Sequence, residues 1–454
     1  MSGARFPGKL SALMQQVNLG MIGGGTVGSG VFHALRQNGE LMAARLGVKI
    51  AFRKIAVKAF DEPRPYPIPH TLMTTDWQEV VNDPQIHVVI ELVGGTGIAK
   101  VMILAALAQG KTVVTANKAL VSAHGPELFA AAARHGANLY YEASVCGGIP
   151  IIKSLREGFV ANQFSAIYGI VNGTCNYILT RMKLEGADFA AVLADAQKQG
   201  YAETPPDLDI DGVDAQHKTG ILASLAHGFW VDHHAIHTEG IRNVSKIDMQ
   251  FAQQLGYTIK LLGIVKKSKG QSLKSKVGSG VQVSVYPALI PSSHVLASVN
   301  GVFNACFVRG DVVGDTLFYG RGAGKDATAS AVLSDVADAA LDLKHGGKVR
   351  VLPFVAHARK GRVVPMDEIT SRYYVRLSVV DKPGVLAKIS AIFAAAKIGI
   401  SSVIQPEGHA GESVPLILML HDAPNAAMRK ALAKIAKLPV IKGQPVMIRV
   451  ENLN

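Results

Sequence analysis

Five carboxylates lead to one lysine in the stretch Glu203-Thr204-Pro205-Pro206-Asp207-Leu208-Asp209-Ile210-Asp211-Gly212-Val213-Asp214-Ala215-Gln216-His217-Lys218. Pro205-Pro206 prevents a helix from running through it. Asp211-Gly212 reads as a turn in which Asp211 caps a helix beginning near Val213. On that helix Asp214 and Lys218 are four residues apart and share a face. The face continues through Ile221 and Leu225, so it points inward. A carboxylate and an ammonium there cost desolvation energy unless they pair with each other or act on a ligand. Two readings stand side by side: a structural ion pair at a helix start, or an acid-base pair beside a substrate. In the second, the lysine ammonium stabilises negative charge on a reacting oxygen and supplies its proton.

The elements ahead of this stretch bear on the choice. Residues 17–22 read as a short strand, followed by Gly23-Gly24-Gly25-Thr26-Val27-Gly28 and a helical run ending at Asn38-Gly39. This is G-x-G-x-x-G between strand and helix. Its glycines allow the tight turn, the approach of backbone to a pyrophosphate, and close helix–strand packing, with the helix N-terminus facing the phosphates. A second strand over 49–57 ends in Lys58-Ala59-Phe60-Asp61, with Arg64 beyond. Lys58 suits the 2′-phosphate of NADP(H); Asp61 is the alternative, an acid for the ribose of NAD(H). The apolar, β-branched run 86–93 reads as a buried parallel strand with Gly94-Gly95-Thr96 at its ligand-facing end. A helix over 98–108 leads to Thr112-Val113-Val114-Thr115-Ala116-Asn117-Lys118. There Lys118 stands at a strand tip, a second candidate for contact with the cofactor or the reacting oxygen. A helix near 126–135 and a strand over 138–141 complete a doubly wound, Rossmann-type domain.

Glu142, with the carbonyls of the glycine-rich loop after it, suits a hard monovalent cation or a plain turn. Cys146 in that loop admits a rival chemistry, a cysteine-dependent semialdehyde dehydrogenase, which would need a base beside the thiol. From Pro150 the character changes. A strand over 166–171, the polar turn Asn172-Gly173-Thr174-Cys175-Asn176, a helix from Tyr177, the acidic stretch, and strands near 261–265 and 281–286 form an α+β catalytic and dimerisation domain. Gly320-Arg321-Gly322-Ala323-Gly324 allows close backbone approach to a ligand. An Ala-rich helix over 328–345 returns to the first domain. Residues 346–371 read as a linker. Residues 372–454 read βαββαβ, a separate ferredoxin-like unit without catalytic residues. The expected division is thus 1–16 extension, 17–150 dinucleotide domain, 151–327 catalytic domain, 346–371 linker and 372–454 terminal domain.

Composition narrows the classes. The chain has 454 residues, 48% hydrophobic and 18% charged, which suits several packed domains rather than disorder. Cys146, Cys175 and Cys306 lack zinc-site or disulfide-framework spacing and suit a reducing, cytoplasmic setting. No apolar run has membrane-spanning length. The net charge of +13 raises nucleic acid as a partner. Yet the densest basic run, Lys266, Lys267, Lys269, Lys274 and Lys276, has no interleaved aromatic to stack on bases, so it reads as a solvated loop. Small anionic ligands fit the charge better.

Over residues 17–450 these motifs together resemble the homoserine dehydrogenase family in its form with a C-terminal ACT domain. The resemblance implies reversible NAD(P)H-dependent reduction of L-aspartate 4-semialdehyde to L-homoserine, within threonine, methionine and isoleucine biosynthesis. It places Gly23, Gly25, Thr26, Val27, Gly28, Lys58, Gly95, Thr96, Gly200 and Gly320 at the cofactor, with Lys118 near nicotinamide and substrate. By the same resemblance Glu203 and Asp214 bind homoserine, Thr174 belongs to the substrate turn, and Lys218 carries the proton, with Lys118 as its rival. Glu142 and the carbonyls of Val145, Gly147 and Ile149 would hold a structural sodium ion. The Asp381-Lys382-Pro383-Gly384 turn marks the ACT module and implies L-threonine as effector; a homodimer or homotetramer is implied too. Lys58-Ala59 departs from the arginine-aspartate pair common in the family, and Ala327 from a proline. A non-catalytic sensor of dinucleotide and amino acid would need only the first and last domains, and leaves Glu203, Asp214 and Lys218 without a task.

Overall fold

The structure, a computed structural model, describes residues 14–268, 280–347, 349–358, 361–406 and 413–453. Residues 1–13 of the expected extension and Lys269, Lys274 and Lys276 of the basic run lie outside these. The chain forms two compact units. The first comprises Met1–Ala161, Ser224–Trp230 and Gly320–His357; the second comprises Asn162–Ala223, Val231–Tyr319 and Ala358–Asn454.

The first unit is built on a six-stranded parallel sheet of β1 (Gln16–Ile22), β2 (Lys49–Ala56), β3 (Met73–Thr74), β4 (Val88–Glu91), β5 (Thr112–Thr115) and β6 (Leu139–Tyr140), in the order β3-β2-β1-β4-β5-β6. Its helices are α1 (Thr26–Leu46), α2 (Gln78–Asn82), α3 (Ile98–Ala108), α4 (Lys118–Arg134) and the short α5 (Ile151–Lys153). The order reverses beside β1, where doubly wound sheets bind dinucleotides. Helix α1 runs through Asn38-Gly39, where the sequence suggested its end, and stops at the left-handed Gly47. Met42 and Leu46 pack on the core beyond Gly39, and that burial outweighs the roughly 1 kcal/mol that a mid-helix glycine costs.

Helix α4 also departs from expectation: it starts at Lys118 and carries Pro126 in its interior. Proline removes the N–H that would bond the Ser122 carbonyl. The indole Nε1 of Trp230 donates to that carbonyl instead, at 3.2 Å. Gly125 makes the room, since a Cβ there would lie 2.3 Å from the Trp230 ring. Phe129 and Phe354 pack edge-on against the same indole.

The second unit carries, in chain order, β7 (Phe164–Ile170), α6 (Gly173–Glu185), α7 (Phe189–Lys198), α8 (Asp207–Ile210), α9 (Val213–His227) as far as Ala223, β8 (His237–Thr238), α10 (Lys246–Gln254), β9 (Tyr257–Lys267), β10 (Gly280–Pro291), β11 (Phe303–Gly310) and β12 (Gly314–Arg321) as far as Tyr319. Helix α11 (Lys325–Lys344) follows and belongs to the first unit, starting three residues before the expected 328. It fills that unit's core with Ala329, Val332, Val336 and Ala339. The chain then adds β13 (Arg362–Val363), β14 (Thr370–Val380), α12 (Val385–Ala395), β15 (Ile400–Ile404), β16 (Ser413–Pro424), α13 (Asn425–Ile435) and β17 (Val446–Val450) to the second unit.

These last elements have the ferredoxin-like order βαββαβ, with strands arranged β17-β14-β16-β15. They do not stand apart as the sequence suggested. Strand β17 pairs in parallel with β10 at Ala288↔Arg449 and Leu289↔Val450, so one mixed sheet runs from β12 to β15. The signal is invisible locally, because it depends on strands some 160 residues apart in sequence finding each other. Residues 346–371, read as a linker, contain β13 and the start of β14.

Gly125→Ala should destabilise the first unit by about 1–3 kcal/mol through overpacking against Trp230. A lower thermal midpoint checks this; an unchanged midpoint would show that the indole can move aside without loss.

Candidate active site

The glycine loop of the first unit is shaped by what its glycines exclude. Gly23 has φ +107°. A Cβ on Gly28 would lie 2.0 Å from the Gly23 carbonyl oxygen, and one on Gly24 would lie 2.6 Å from Val57. Above Gly25 there is open space. No side chain caps α1 at Gly25, so the first helical amides, from Thr26 to Gly28, present an uncapped positive end. This cradle fits a dinucleotide pyrophosphate. Lys58 is exposed just after β2. Arg64 donates to the carbonyls of Ala59 and Phe60 at 3.0 and 3.1 Å, closing the loop that follows Lys58.

A buried network joins the next two strand tips. Glu91 is fully buried. One carboxylate oxygen accepts from the amides of Val93 and Gly94 at 2.7 and 3.1 Å, the other from the Thr115 hydroxyl at 2.7 Å. Thr115 Oγ1 in turn accepts from the Asn117 amide. Asn117 Nδ2 donates to the Gly95 carbonyl at 2.7 Å, while its Oδ1 caps α4 at Leu120 N. The turn bearing Gly95 and Thr96 is thereby tied to Lys118, which is the first residue of α4 rather than a free strand tip. Glu91, Thr115 and Asn117 were not singled out from sequence. The signal was an acid ending an apolar run immediately before a glycine pair.

Glu142 accepts from the amides of Ile152 and Lys153 at 2.9 and 2.7 Å, so it caps the helix after the glycine-rich loop. Burial pushes its carboxyl from the ordinary 4.5 up to about 7, against those two bonds. Asp335, whose Oδ2 accepts from the Glu142 amide, is also pushed well up, first by burial and then by Glu142. Cys146 and Gly147 both take left-handed backbone, with φ +58° and +54°. A Cβ on Gly147 would lie 2.6 Å from the Gly322 carbonyl oxygen, and one on Gly320 would lie 3.1 Å from Ile149. The two glycine segments expected near ligands therefore pack on each other. A buried carboxyl followed in the chain by left-handed backbone at Cys146 and Gly147 offers the all-oxygen donor types that a hard monovalent cation takes. The Cys146 side chain is fully buried, which places its sulfur out of reach of an incoming aldehyde.

In the second unit, α6 starts at Gly173, four residues before the expected Tyr177, because Asn172 caps it by accepting from the Cys175 amide at 2.8 Å. The Asn172 Nδ2 donates to Asp209 and Asp214 at 2.8 and 2.9 Å. Lys218 donates to Asp214 Oδ2 at 2.7 Å and to the Val171 carbonyl at 2.8 Å, with both charged side chains about nine-tenths buried. Burial also raises the Asp209 carboxyl, the Asn172 bond opposing it. Burial pushes the Cys175 thiol well up, and the thiol donates to the Asp209 carbonyl. The Thr174 hydroxyl donates to the Tyr201 carbonyl at 2.6 Å. Gly200 ends α7 with φ +74°, and Glu203 is exposed. The Asp211 carboxylate binds the Arg242 guanidinium at 2.5 and 3.0 Å, with Asp207 on the same arginine.

Comparison with known proteins bears on this arrangement. The sequence profile described as "Homoserine dehydrogenase, NAD binding domain" matches residues 23–142, and that described as "Homoserine dehydrogenase" matches residues 150–337. Homoserine dehydrogenase of Pseudomonas aeruginosa is 41% identical over 97% of this chain and 100% of its own length. The chain belongs to the homoserine dehydrogenase family. Homoserine dehydrogenase of Neisseria gonorrhoeae is 40% identical over 97% of the chain and 100% of its own. Among solved structures, homoserine dehydrogenase from Thiobacillus denitrificans superposes with a TM-score of 0.89 at 40% identity, covering 97% of this chain and 99% of that one. A hyperthermophilic archaeal homoserine dehydrogenase in complex with NADPH gives a TM-score of 0.60 at 26% identity over 72% of this chain and 98% of its own. The activity is therefore that of homoserine dehydrogenase, an oxidoreductase of amino-acid biosynthesis that interconverts aspartate 4-semialdehyde and homoserine with a nicotinamide dinucleotide. This removes the sensor and cysteine-dependent alternatives. Among the described residues, no helix is long and apolar enough to cross a membrane.

Thr115→Val should weaken nicotinamide dinucleotide binding by about tenfold, since it removes a donor from a buried carboxylate at a cost of roughly 1–3 kcal/mol. A fluorescence titration reads the change, and unaltered affinity in a folded variant would remove the strand-tip network from cofactor binding.

Proposed function

We propose that Lys218 transfers the proton and that Asp214 holds it there. The supporting observation is the buried Lys218–Asp214 bond, anchored on its second side by the Val171 carbonyl. In the direction of homoserine formation, NADPH would supply hydride to the aldehyde carbon. As that carbon is reduced its oxygen gains negative charge, which the Lys218 ammonium stabilises and then neutralises by giving up a proton. Asp214 keeps the ammonium aimed, and Asn172 keeps Asp214 in place. Glu203 and Asp214 attract the substrate α-ammonium, and Thr174 shapes the same turn. The direct bond moves the weight of Asp214 from the substrate toward the lysine, relative to the reading from sequence.

The cofactor is NADP(H) in this proposal, with Gly23, Gly25, Thr26, Val27 and Gly28 around the pyrophosphate, Lys58 at the 2′-phosphate, and Gly95, Thr96, Lys118, Gly200 and Gly320 along the molecule. Exposed Lys58 after β2 and the bound NADPH of the archaeal relative favour it. Sodium would sit on Glu142 and the carbonyls of Val145, Gly147 and Ile149. The βαββαβ segment, with a cleft at Asp381, Lys382, Gly384 and Gln405, supports an ACT-type role with L-threonine as effector. Exposed Leu317 and Tyr319 on the edge strand β12 support a dimer or tetramer. The setting is cytoplasmic, in keeping with three buried cysteines outside any disulfide.

Lys218→Ala should lower turnover by about three orders of magnitude or more, with NADPH affinity within about twofold by fluorescence titration. Near-normal turnover would transfer the proton role to Lys118. L-Threonine added to the assay should lower the rate, and an unchanged rate would remove the effector assignment alone. Glu142 predicts a linkage of defined sign. Its folded value of about 7 exceeds the ordinary 4.5, so across that window the unfolded chain releases a proton that the folded chain keeps. Stability from this group falls as pH rises. A cation on the ionised carboxylate opposes the fall. Sodium in place of a bulky organic cation should therefore raise the thermal midpoint more at pH 8 than at pH 5. Equal midpoints in both salts at both pH values would argue against a sodium site.

A further inference from the structure

We propose that Gly240 and Arg242 are positioning residues for the substrate carboxylates, and that Arg449 of the last strand anchors them. The inference rests on the assignment of Asp214 and Lys218 to substrate turnover. The segment in question links β8 to α10 and contains no residue with a role so far.

At Gly240 the segment touches the acidic turn backbone to backbone. A Cβ there would lie 2.1 Å from the Ile210 carbonyl oxygen and 2.4 Å from Asp211 Cα. The Ile241 amide donates to the same Ile210 carbonyl at 2.8 Å. Ile210 directly follows Asp209, the acid that Asn172 ties to Asp214. Two residues on, Arg242 binds Asp211 and Asp207, the carboxylates on either side of Asp209 in the chain. Left without this cation, the two outer acids would repel each other and Asp209, opening the turn. Exposed ion pairs contribute little by themselves, so the close backbone approach at Gly240 is the stronger constraint and the arginine refines it.

The other end of the segment is held from the ferredoxin-like elements. The Glu239 amide donates to the Val285 carbonyl of β10 at 2.8 Å. The Glu239 carboxylate accepts two bonds of 2.9 Å from Arg449, and one of its oxygens also meets His237 Nε2 at 2.7 Å. Against its partial burial, the histidine and arginine beside it hold the Glu239 carboxyl down at about 2. Arg449 is only 1% exposed, lies over the Tyr286 ring at 4.6 Å, and also donates to Asn425. Arg449 is the buried partner and Glu239 is partly exposed, so removing Glu239 leaves a buried guanidinium charge without compensation. Direct contacts thus run from β17 through Glu239, Gly240 and Ile241 to Ile210, then through Asp209 and Asn172 to Asp214 and Lys218. The terminal elements become part of the frame that sets substrate affinity.

The test is steady-state kinetics of Gly240→Ala, Arg242→Ala, Arg242→Lys and Glu239→Gln, with homoserine and dinucleotide KM measured separately and Asp214→Asn run in parallel. Gly240→Ala should raise the homoserine KM by about tenfold or more while the dinucleotide KM stays within about twofold. Arg242→Ala should raise it about threefold, and Arg242→Lys should restore most of that loss. Glu239→Gln should shift the same constant in the same direction. Unchanged homoserine KM in Gly240→Ala and Arg242→Ala, or equal losses for both substrates, overturns the proposal. Should Gly240→Ala fail to fold, the exposed Arg242 pair decides. If Asp214→Asn keeps wild-type KM and turnover, the parent assignment has failed. If Asp214→Asn is impaired while the Gly240 and Arg242 variants are not, only the positioning role has failed.

Discussion

Burying an ammonium together with a carboxylate is the constraint around which the second unit is arranged. Lys218 and Asp214 gain each other, but a pair alone seldom recovers the cost of leaving water. The remaining bonding capacity is met by groups that chain geometry brings to the spot. Val171 follows the last residue of β7, so its carbonyl is outside the strand ladder and can face the lysine. Asn172 comes next and divides its amide between two tasks: the oxygen starts α6, and the nitrogen bonds both Asp209 and Asp214. Moving α6 by one residue would undo both.

The first unit solves the opposite problem, holding a large anionic ligand with few committed side chains. Its glycine loop offers amides rather than cations, and its strand tips are stiffened from below by Glu91. A buried acid is well suited to that work because it accepts from several backbone donors at once. The same device recurs at Glu142, which caps a helix while lying deep in the unit. In both places a carboxylate organises backbone rather than touching the reaction.

Much of this was legible in the sequence because it is local. The glycine loop, the parallel strands, the Asp214–Lys218 spacing and the βαββαβ order are patterns within short windows. What escaped depends on distant partners. Pro126 looked like a helix start because nothing nearby reveals that Trp230 will take the bond it forfeits. The Asp211–Arg242 contact escaped because the arginine that binds its carboxylate lies 31 residues on. Glu91 and Thr115 have no motif between them and meet only because β4 and β5 are neighbours. The terminal elements looked detachable because a strand carries no local mark of which edge it will join.

That last junction bears on how the chain can be cut. Strand β10 is buried along nearly its whole length, and β17 covers it at Ala288 and Leu289. A chain shortened before β14 would uncover the edge of β10 at Ala288 and Leu289, beyond the part that β8 and β13 pair, and a short apolar edge of this kind can recruit strands from other molecules. Insolubility in such a fragment would then report on a missing neighbour strand rather than on a folding defect in the catalytic elements. Grafting the terminal elements onto another enzyme faces the mirror problem, since the host would need a vacant parallel edge to receive β17.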